Sequence, residues 1–393
     1  MNDKLTVLHY SNIWLPQTQT WIHGQVAELQ RLGVDTHVVC ERTANLSQFA
    51  VNNIHCFANE TRIKQIWVNA LRKLRIHHHL PYLVNSGQKT GASIVHSHFG
   101  DIGWSNLAAV RKLGVKHVVT FYGYDVNKLP VESAKWRQRY LQLFTEADLF
   151  LCEGSHMASC LVRLGCPTDK VKVQHLGVDV ESIAYKPRPW QLGVPLKVLI
   201  AARFTEKKGI VYAIEALGIL SSLVPIELTL IGDAGTDAKT ILMKKQILGL
   251  LESTGLIGKT RILGFQSHEV MMREAYNNHL FLQPSVTASD GDTEGGAPVS
   301  IIEMMASGIP VIATTHCDIP EVMGEELHHL LAPERDAPAL AQRITIMLRQ
   351  LEQWQLIAQI GRTRVESQYS RSIQGERLRD IYAALLISKR QKK

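Results

Sequence analysis

Short apolar runs alternate with longer amphipathic stretches along almost the whole chain, and this alternation constrains the fold more than any other feature of the sequence. Leu5 to Tyr10 reads as a buried strand, Gln19 to Leu32 as an amphipathic helix stopped at Gly33, and Thr36 to Cys40 as the next strand. The unit recurs with Ser93 to His98, a helix through Lys112, and Lys116 to Phe121. It recurs again with Leu149 to Cys152, a helix through Leu164, and Val171 to His175. Strands separated by helices pair in parallel, and a parallel sheet is covered on both faces, which suits these near-continuous apolar strands.

The stretch Y-K-P-R-P-W-Q-L-G-V, Tyr185 to Val194, has two prolines, a glycine and no periodicity, and reads as a linker. Beyond it Leu196 to Ala201, Glu227 to Ile231, Thr260 to Leu263, His279 to Gln283 and Pro310 to Thr314 read as strands. Gly209 to Leu223 and Thr240 to Thr254 read as helices. A chain of 393 residues exceeds what one core usually serves. The expected fold class is therefore α/β, two tandem Rossmann-like doubly wound domains with ligand sites at the strand C-termini and a cleft between them. The expected bounds are residues 1–188 and 189–373. Residues 374–393 form a last helix, patterned by Leu378, Ile381, Tyr382, Leu385 and Leu386, that packs back on the first domain and ends in a solvated basic tail.

Hydrophobic residues at 45% and charged ones at 20% fit a soluble globular protein rather than a disordered one. Six cysteines without C-x-x-C spacing, and an N-terminus without the blocks of a signal peptide, predict a reducing, cytoplasmic setting. Glu227 interrupts the longest apolar stretch, Leu217 to Ile231, so no spanning helix is expected. The net charge of +7 is uneven: up to Arg188 there are 21 Lys and Arg against 14 Asp and Glu, and beyond it 22 of each. The first half should therefore meet an anionic partner, for which nucleic acid, a membrane surface or a phosphorylated substrate each qualify by charge alone.

The chemistry concentrates in D-G-D-T-E-G-G-A-P-V-S-I-I-E, Asp290 to Glu303. Glu294 lies on the loop, Gly295 and Gly296 leave backbone N–H groups bare, Pro298 suits the first position of a helix, and Glu303 follows about one turn further in. Amides at a helix N-terminus can hold a diphosphate, the inner carboxylate can accept from a ribose diol, and the outer one faces what the diphosphate carries. The run Ala202 to Gly209, with Arg203 and Lys208, follows a strand directly and supplies a fork and a point charge for a diphosphate.

Together these residues resemble the retaining nucleotide-sugar glycosyltransferases of the GT-B type with a paired-glutamate signature (family 4), which include bacterial polysaccharide-assembly enzymes such as colanic-acid-like ones. The resemblance runs the length of the chain. It rests on Ile231-Gly232-Asp233, Leu263-Gly264-Phe265, Pro284-Ser285 and Ala306 to Thr314, together with Val95 to Phe99, Phe121 to Val126 and His175 to Asp179. It implies transfer of a sugar, with retention, from a nucleotide diphosphate sugar to a glycan or lipid-linked acceptor in exopolysaccharide synthesis. Arg203 and Lys208 would hold the donor diphosphate, Glu303 the ribose, Glu294 the transferred sugar, and the amides of Gly295, Gly296 and Ala297 the phosphate or sugar. No cofactor and no metal are expected, and no nucleic-acid partner; Asp290-Gly-Asp292 has a metal-motif shape on a loop already rich in acceptors, and adjacent His77, His78 and His79 cannot all face one ion.

Two departures stand out: eight residues rather than seven separate Glu294 and Glu303, which the glycine pair can absorb, and Tyr122-Gly123 stands where the family has His-Gly. On the acceptor side, Thr18 and Thr20 lie in a loop whose Trp14 and Trp21 either stack on a sugar or anchor a tight turn. His98 ends a strand, either facing the cleft or packed. Arg62 to Arg75 sets Ile63, Ile66, Trp67, Ala70, Leu71 and Leu74 along one stripe flanked by cations, as in a helix lying on anionic lipid on the cytoplasmic side. A helix with its stripe toward the core looks the same in sequence. Alternatives of a different class are a nucleotide-sugar epimerase on this scaffold and an inactive nucleotide-sugar-binding homologue.

Overall fold

The computed structural model describes residues 5–16, 19–74 and 81–390. They form two compact units: residues up to Val178 together with those from Ser370 onward, and Asp179–Tyr369.

The first unit holds seven strands, β1 (Thr6–Trp14), β2 (Asp35–Thr43), β3 (Ile54–Cys56), β4 (Ile94–His98), β5 (Lys116–Thr120), β6 (Leu149–Cys152) and β7 (Val171–Val173). All pairings are parallel, in the order β3-β2-β1-β4-β5-β6-β7. The chain winds outward in one direction from β1 and in the other from β4, so the switch point lies between those two strands. β3 is a three-residue edge strand in a segment with no apolar periodicity, which is why the sequence pattern passes over it.

The second unit repeats the scheme with β8 (Leu196–Ala201), β9 (Ile226–Ile231), β10 (Thr260–Ile262), β11 (Leu280–Gln283), β12 (Val311–Thr314) and β13 (Leu331–Ala332), in the order β10-β9-β8-β11-β12-β13 and again parallel. Its switch point lies between β8 and β11. The loops that leave these two strands are Ala202–Gly209 and Pro284–Pro298, the two stretches in which the sequence concentrates charge and glycine.

The stretch Tyr185 to Val194 is irregular but well anchored within the second unit. Lys186 N–H donates to Ser307 O at 3.0 Å, Arg188 donates to Ser307 and to Asn278 O, and Trp190 is buried. Proline and glycine there mark absence of regular structure, whereas the chain passes between units at Val178–Asp179 and again at Tyr369–Ser370.

The last helix, Arg371–Arg390, packs on the helix Thr20–Arg31, and Leu378 and Tyr382 are fully buried in one cluster with Val7, Leu29, Ile94 and Leu149. Gln174 Nε2 donates to Gln374 O at 2.9 Å. Residues 391–393, the end of the expected basic tail, and His77 to His79 lie outside the described residues. No described helix is long and apolar enough to cross a membrane.

Candidate functional site

In the second unit two loops meet at the switch point. The first turns sharply after β8: Phe204 is fully buried and its N–H donates to Asp233 O at 3.0 Å, which anchors the loop. Gly209 closes it at φ +60, where an added Cβ would fall 1.8 Å from Pro284 O. Gly232 plays the matching part after β9, at φ +129 with Ala202 O 1.9 Å from where a Cβ would be. Both glycines are required by close backbone approach as well as by the sign of φ.

Lys208 Nζ donates to Glu294 Oε2 at 2.8 Å, and both side chains are largely buried, 16% and 7% exposed. Ser285 Oγ donates to Glu294 Oε1 at 2.8 Å, and the Glu294 N–H donates to His316 Nε2 at 3.1 Å. Burial pushes the Glu294 carboxyl up, but Lys208, Lys207 and the Ser285 hydroxyl outweigh it and hold its pKa below the ordinary value. Burial pulls the Lys208 ammonium down against the attraction of Glu294, and the charges of Lys207 and Arg203 add to that pull. The two side chains thus form a buried salt bridge with Lys207 and Arg203 close by.

Lys207 clamps the loops together, donating to Asp292 Oδ1 at 3.1 Å and to Thr293 O at 2.9 Å, while its own carbonyl accepts from Val286 N–H at 2.9 Å. Arg203 is exposed on the same loop and has no hydrogen bond or ion pair from its side chain among the described residues. Asp290 is held by Lys239 at 2.8 Å, so both aspartates of the D-G-D run are committed to ammonium groups.

The glycine turn differs in detail from its sequence reading. Gly295 takes φ +81, a conformation that favours glycine, and its N–H is not bare but donates to Thr293 Oγ1 at 3.0 Å. Gly296 and Ala297 are the residues whose N–H groups carry no hydrogen bond among the described residues. The helix runs Val299–Ser307, with Pro298 as its cap rather than its first residue. Glu303 projects from that helix, and His268 Nε2 donates to its Oε1 at 2.8 Å.

Several participants escape sequence reading. Lys207 hides in a pair of lysines, and Ser285 in a Pro-Ser dipeptide without an assigned role. His316 is fully buried, with Nδ1 2.6 Å from Glu334 and Nε2 accepting from Glu294, which fixes the Nδ1–H tautomer. His268 and His316 are lone histidines in sequence, and nothing local distinguishes a lone histidine that anchors a loop.

In the first unit the structure brings His98 and Tyr122 together: the Tyr122 hydroxyl lies 2.7 Å from His98 Nδ1, and His98 Nε2 lies 3.1 Å from His9 Nδ1. His98 has no exposure at all, and its partner Tyr122 is buried as well. His96 completes the cluster, with Nδ1 2.5 Å from the Tyr382 hydroxyl and Nε2 2.6 Å from Thr120 Oγ1. Burial drives the pKa of His9 to about 3 and those of His96 and His98 well below the ordinary value, and it raises that of Tyr122. Ring nitrogens of the three histidines come within 4.8 Å of one another, as metal ligands would, but hydrogen bonds already occupy every one except His9 Nε2. His9, His98 and Tyr122 thus form one hydrogen-bonded chain of neutral groups, and His96 bridges Tyr382 and Thr120 beside it.

Trp14 is fully buried and donates to Phe49 O at 3.0 Å, so it anchors the chain after β1 and offers no face to a sugar. Trp21 is half-buried, 5.9 Å from the Tyr122 ring. Thr20 opens the first helix and is half-buried; Thr18 lies outside the described residues.

Two parallel sheets of Rossmann order, with a charged double loop at the switch point of the second, define the two-domain GT-B scaffold. The same fold recurs in a glycosyltransferase from Rickettsia africae ESF-5, at a TM-score of 0.75, 18% identity and 98% and 99% of the two chains. It recurs also in Anabaena Alr3699/HepE, solved in complex with UDP, at 0.76, 17% identity and 97% and 100% coverage. Residues 18–182 match the Glycosyltransferase Family 4 model and residues 190–364 the model of Glycosyl transferases group 1. The amylovoran biosynthesis glycosyltransferase AmsK of Erwinia amylovora is 33% identical over 314 residues, 78% of this chain and 74% of AmsK. WcaL of Escherichia coli (strain K12), named for colanic acid biosynthesis, is 35% identical over 304 residues, 75% and 71% of the two. The chain belongs to this glycosyltransferase family.

Proposed function

We propose that the enzyme transfers a sugar from a nucleoside diphosphate sugar to a glycan acceptor, with retention, in the assembly of an exopolysaccharide. The observation that carries this reading is the 2.8 Å Lys208–Glu294 salt bridge at the meeting of the two switch-point loops, with exposed Arg203 beside it. A diphosphate leaving group needs cations that are already in place when its charge develops, and Lys207 and its partners fix the loops so that no reorganisation is required. Arg203 and Lys208 meet the diphosphate, and the free N–H groups of Gly296 and Ala297 stand at a helix start suited to phosphate oxygens. Glu303 accepts from the ribose diol and Glu294 faces the transferred sugar.

In the transfer the bond from the anomeric carbon to the diphosphate oxygen breaks, and the bond from that carbon to the acceptor oxygen forms on the same face. The acceptor proton passes to the departing diphosphate oxygen, so the protein supplies orientation and charge rather than a strong nucleophile. The cytoplasmic setting, and a mechanism without metal in which Asp290 and Asp292 stay with their lysines, belong to the same proposal. The names of AmsK and WcaL support an exopolysaccharide product, and the UDP bound to HepE supports a nucleotide donor.

We place a lipid-linked acceptor within the same reading because the helix Arg62–Lys73 leaves Ile63, Ile66 and Trp67 at 74%, 68% and 65% exposure, with Leu74 exposed beyond its end, and among its described side chains buries only Val68. An apolar stripe in solvent among cations suits an anionic membrane surface. A thermal-shift panel of UDP, GDP, ADP and their sugars, followed by product analysis with and without acceptor, tests the core of the proposal. Absence of any nucleotide response, or an epimer formed from donor alone, would overturn it.

A further inference from the structure

Glu303 is the fifth residue of the helix Val299–Ser307 and His268 the first of the helix His268–Ala275, so the fold joins two side chains 35 residues apart. His268 Nε2 donates to Oε1 at 2.8 Å, while Oε2 accepts no hydrogen bond among the described residues. The carboxylate is mostly enclosed, 12% exposed, and the imidazole half-exposed. Glu303 raises the pKa of His268 above its ordinary value, by its hydrogen bond first and its charge as well, against burial, and no other charged group among the described residues contributes to that shift.

We infer that His268 is a positioning residue for the nucleoside end of the donor: by holding Oε1 it fixes the Glu303 carboxylate with Oε2 presented to the ribose 2′,3′-diol. The inference rests on the reading of Glu303 as the ribose ligand. A glutamate side chain has three torsions, and freezing them when the ligand arrives weakens binding; a partner that freezes them beforehand removes that cost. A donor N–H on one oxygen also settles which lone pairs remain for the diol, as the outer partner of a metal-bound histidine settles its orientation. The sequence offers no hint of this, since His268 sits in an unremarkable Gln-Ser-His-Glu turn.

Calorimetric titration of the wild type, Glu303→Ala, His268→Ala and His268→Gln with UDP and with 2′,3′-dideoxy-UDP, and with the corresponding GDP pair, tests the inference. The wild type should favour the diol by about ten- to a hundredfold, the range for hydrogen bonds to a charged group. Glu303→Ala should abolish that preference. His268→Ala should reduce it to about threefold or less, with the dideoxy affinity unchanged, and His268→Gln, whose amide N–H can reach Oε1, should restore most of it. A preference lost in Glu303→Ala but kept in His268→Ala overturns the positioning role alone. Tighter diol binding in His268→Ala also overturns it, because His268 then competes with the ribose. A preference retained in Glu303→Ala, or no binding of any nucleotide, overturns the ribose reading itself. Should His268→Ala fail to fold, His268→Asn, too short to reach Oε1 as glutamine does, takes its place with the same outcomes.

Discussion

Between β1 and β4 of the first sheet sit His9, His96 and His98, uncharged and fully buried; beside β8 and β11 of the second sit Lys207, Lys208, Asp292 and Glu294, charged and cross-linked. The two sheets have corresponding strand order, and the switch point is equivalent in both. What differs is how each satisfies polar groups near strand ends. The first passes hydrogen bonds along neutral rings, which costs little desolvation but cannot stabilise a full negative charge. The second pairs its lysines with carboxylates and leaves Arg203 exposed beside them as the surplus cation, which suits a developing anion. The comparison therefore divides the labour of the proposed reaction, with leaving-group charge handled in the second unit.

The largest effect should come from breaking the charged side of that comparison. Lys208→Ala leaves Glu294 buried without its cation, and loss of one partner from a buried pair costs about 3–5 kcal/mol. Lys208→Met with Glu294→Gln should recover most of that stability in a denaturant titration without recovering activity. Arg203→Ala, which strands no partner, should lower kcat by about a hundredfold and donor affinity much less; equal losses in both would reduce Arg203 to an anchor.

Acid should act on the other side. His9, His96, His98 and His117 have pKa values lowered by burial, to about 3 for His9 and about 4 for His117, so the unfolded chain binds protons that the folded unit refuses. Their stabilising contribution is complete above the unfolded value of about 6.5 and is lost as pH falls from there toward 4, at up to roughly 1.4 kcal/mol per histidine per pH unit. Hydrogen exchange at pH 7 and pH 5 should show the first unit loosening before the second, and simultaneous loosening would break the contrast.

Next in size is the ribose contact, where Glu303→Ala should weaken UDP or GDP binding by about tenfold or more; an unchanged dissociation constant removes that role. Trp67→Glu should cut flotation with anionic vesicles by severalfold, and reversal of Arg72 and Lys73 together with Arg75, which lies outside the described residues, should do the same; retained flotation removes the membrane surface. The smallest effect concerns His268, whose pKa is raised, so its sign is opposite to that of the buried histidines. Its contribution is present below about pH 6.5 and lost as pH rises through the raised value, a small change because the ring is half-exposed. His268→Gln should therefore lower the thermal midpoint slightly at pH 6 and leave it unchanged at pH 8.

Much of this architecture is legible in the sequence because it is local. Periodicity gives β1, β2, β4 to β12 to within a few residues, and the glycines at 209, 232 and 295 announce backbone conformations that their own sterics demand. β13, two residues long, is too short to carry a period. Trp14 looks like a ligand platform in sequence, since an indole near a strand end has the same pattern whether its face is covered or open.

The sequence by itself determined two parallel α/β sheets and put the charge and glycine of the second beside its switch point, because strand, helix and turn preferences act over a few residues. Tertiary structure alone decided which partners meet: Lys208 finds Glu294 across 86 positions, His268 finds Glu303 across 35, and the stripe of the helix Arg62–Lys73 faces solvent rather than the core. A helix encodes that it has an apolar face, but only the packing of the remaining chain determines whether anything is left to cover it.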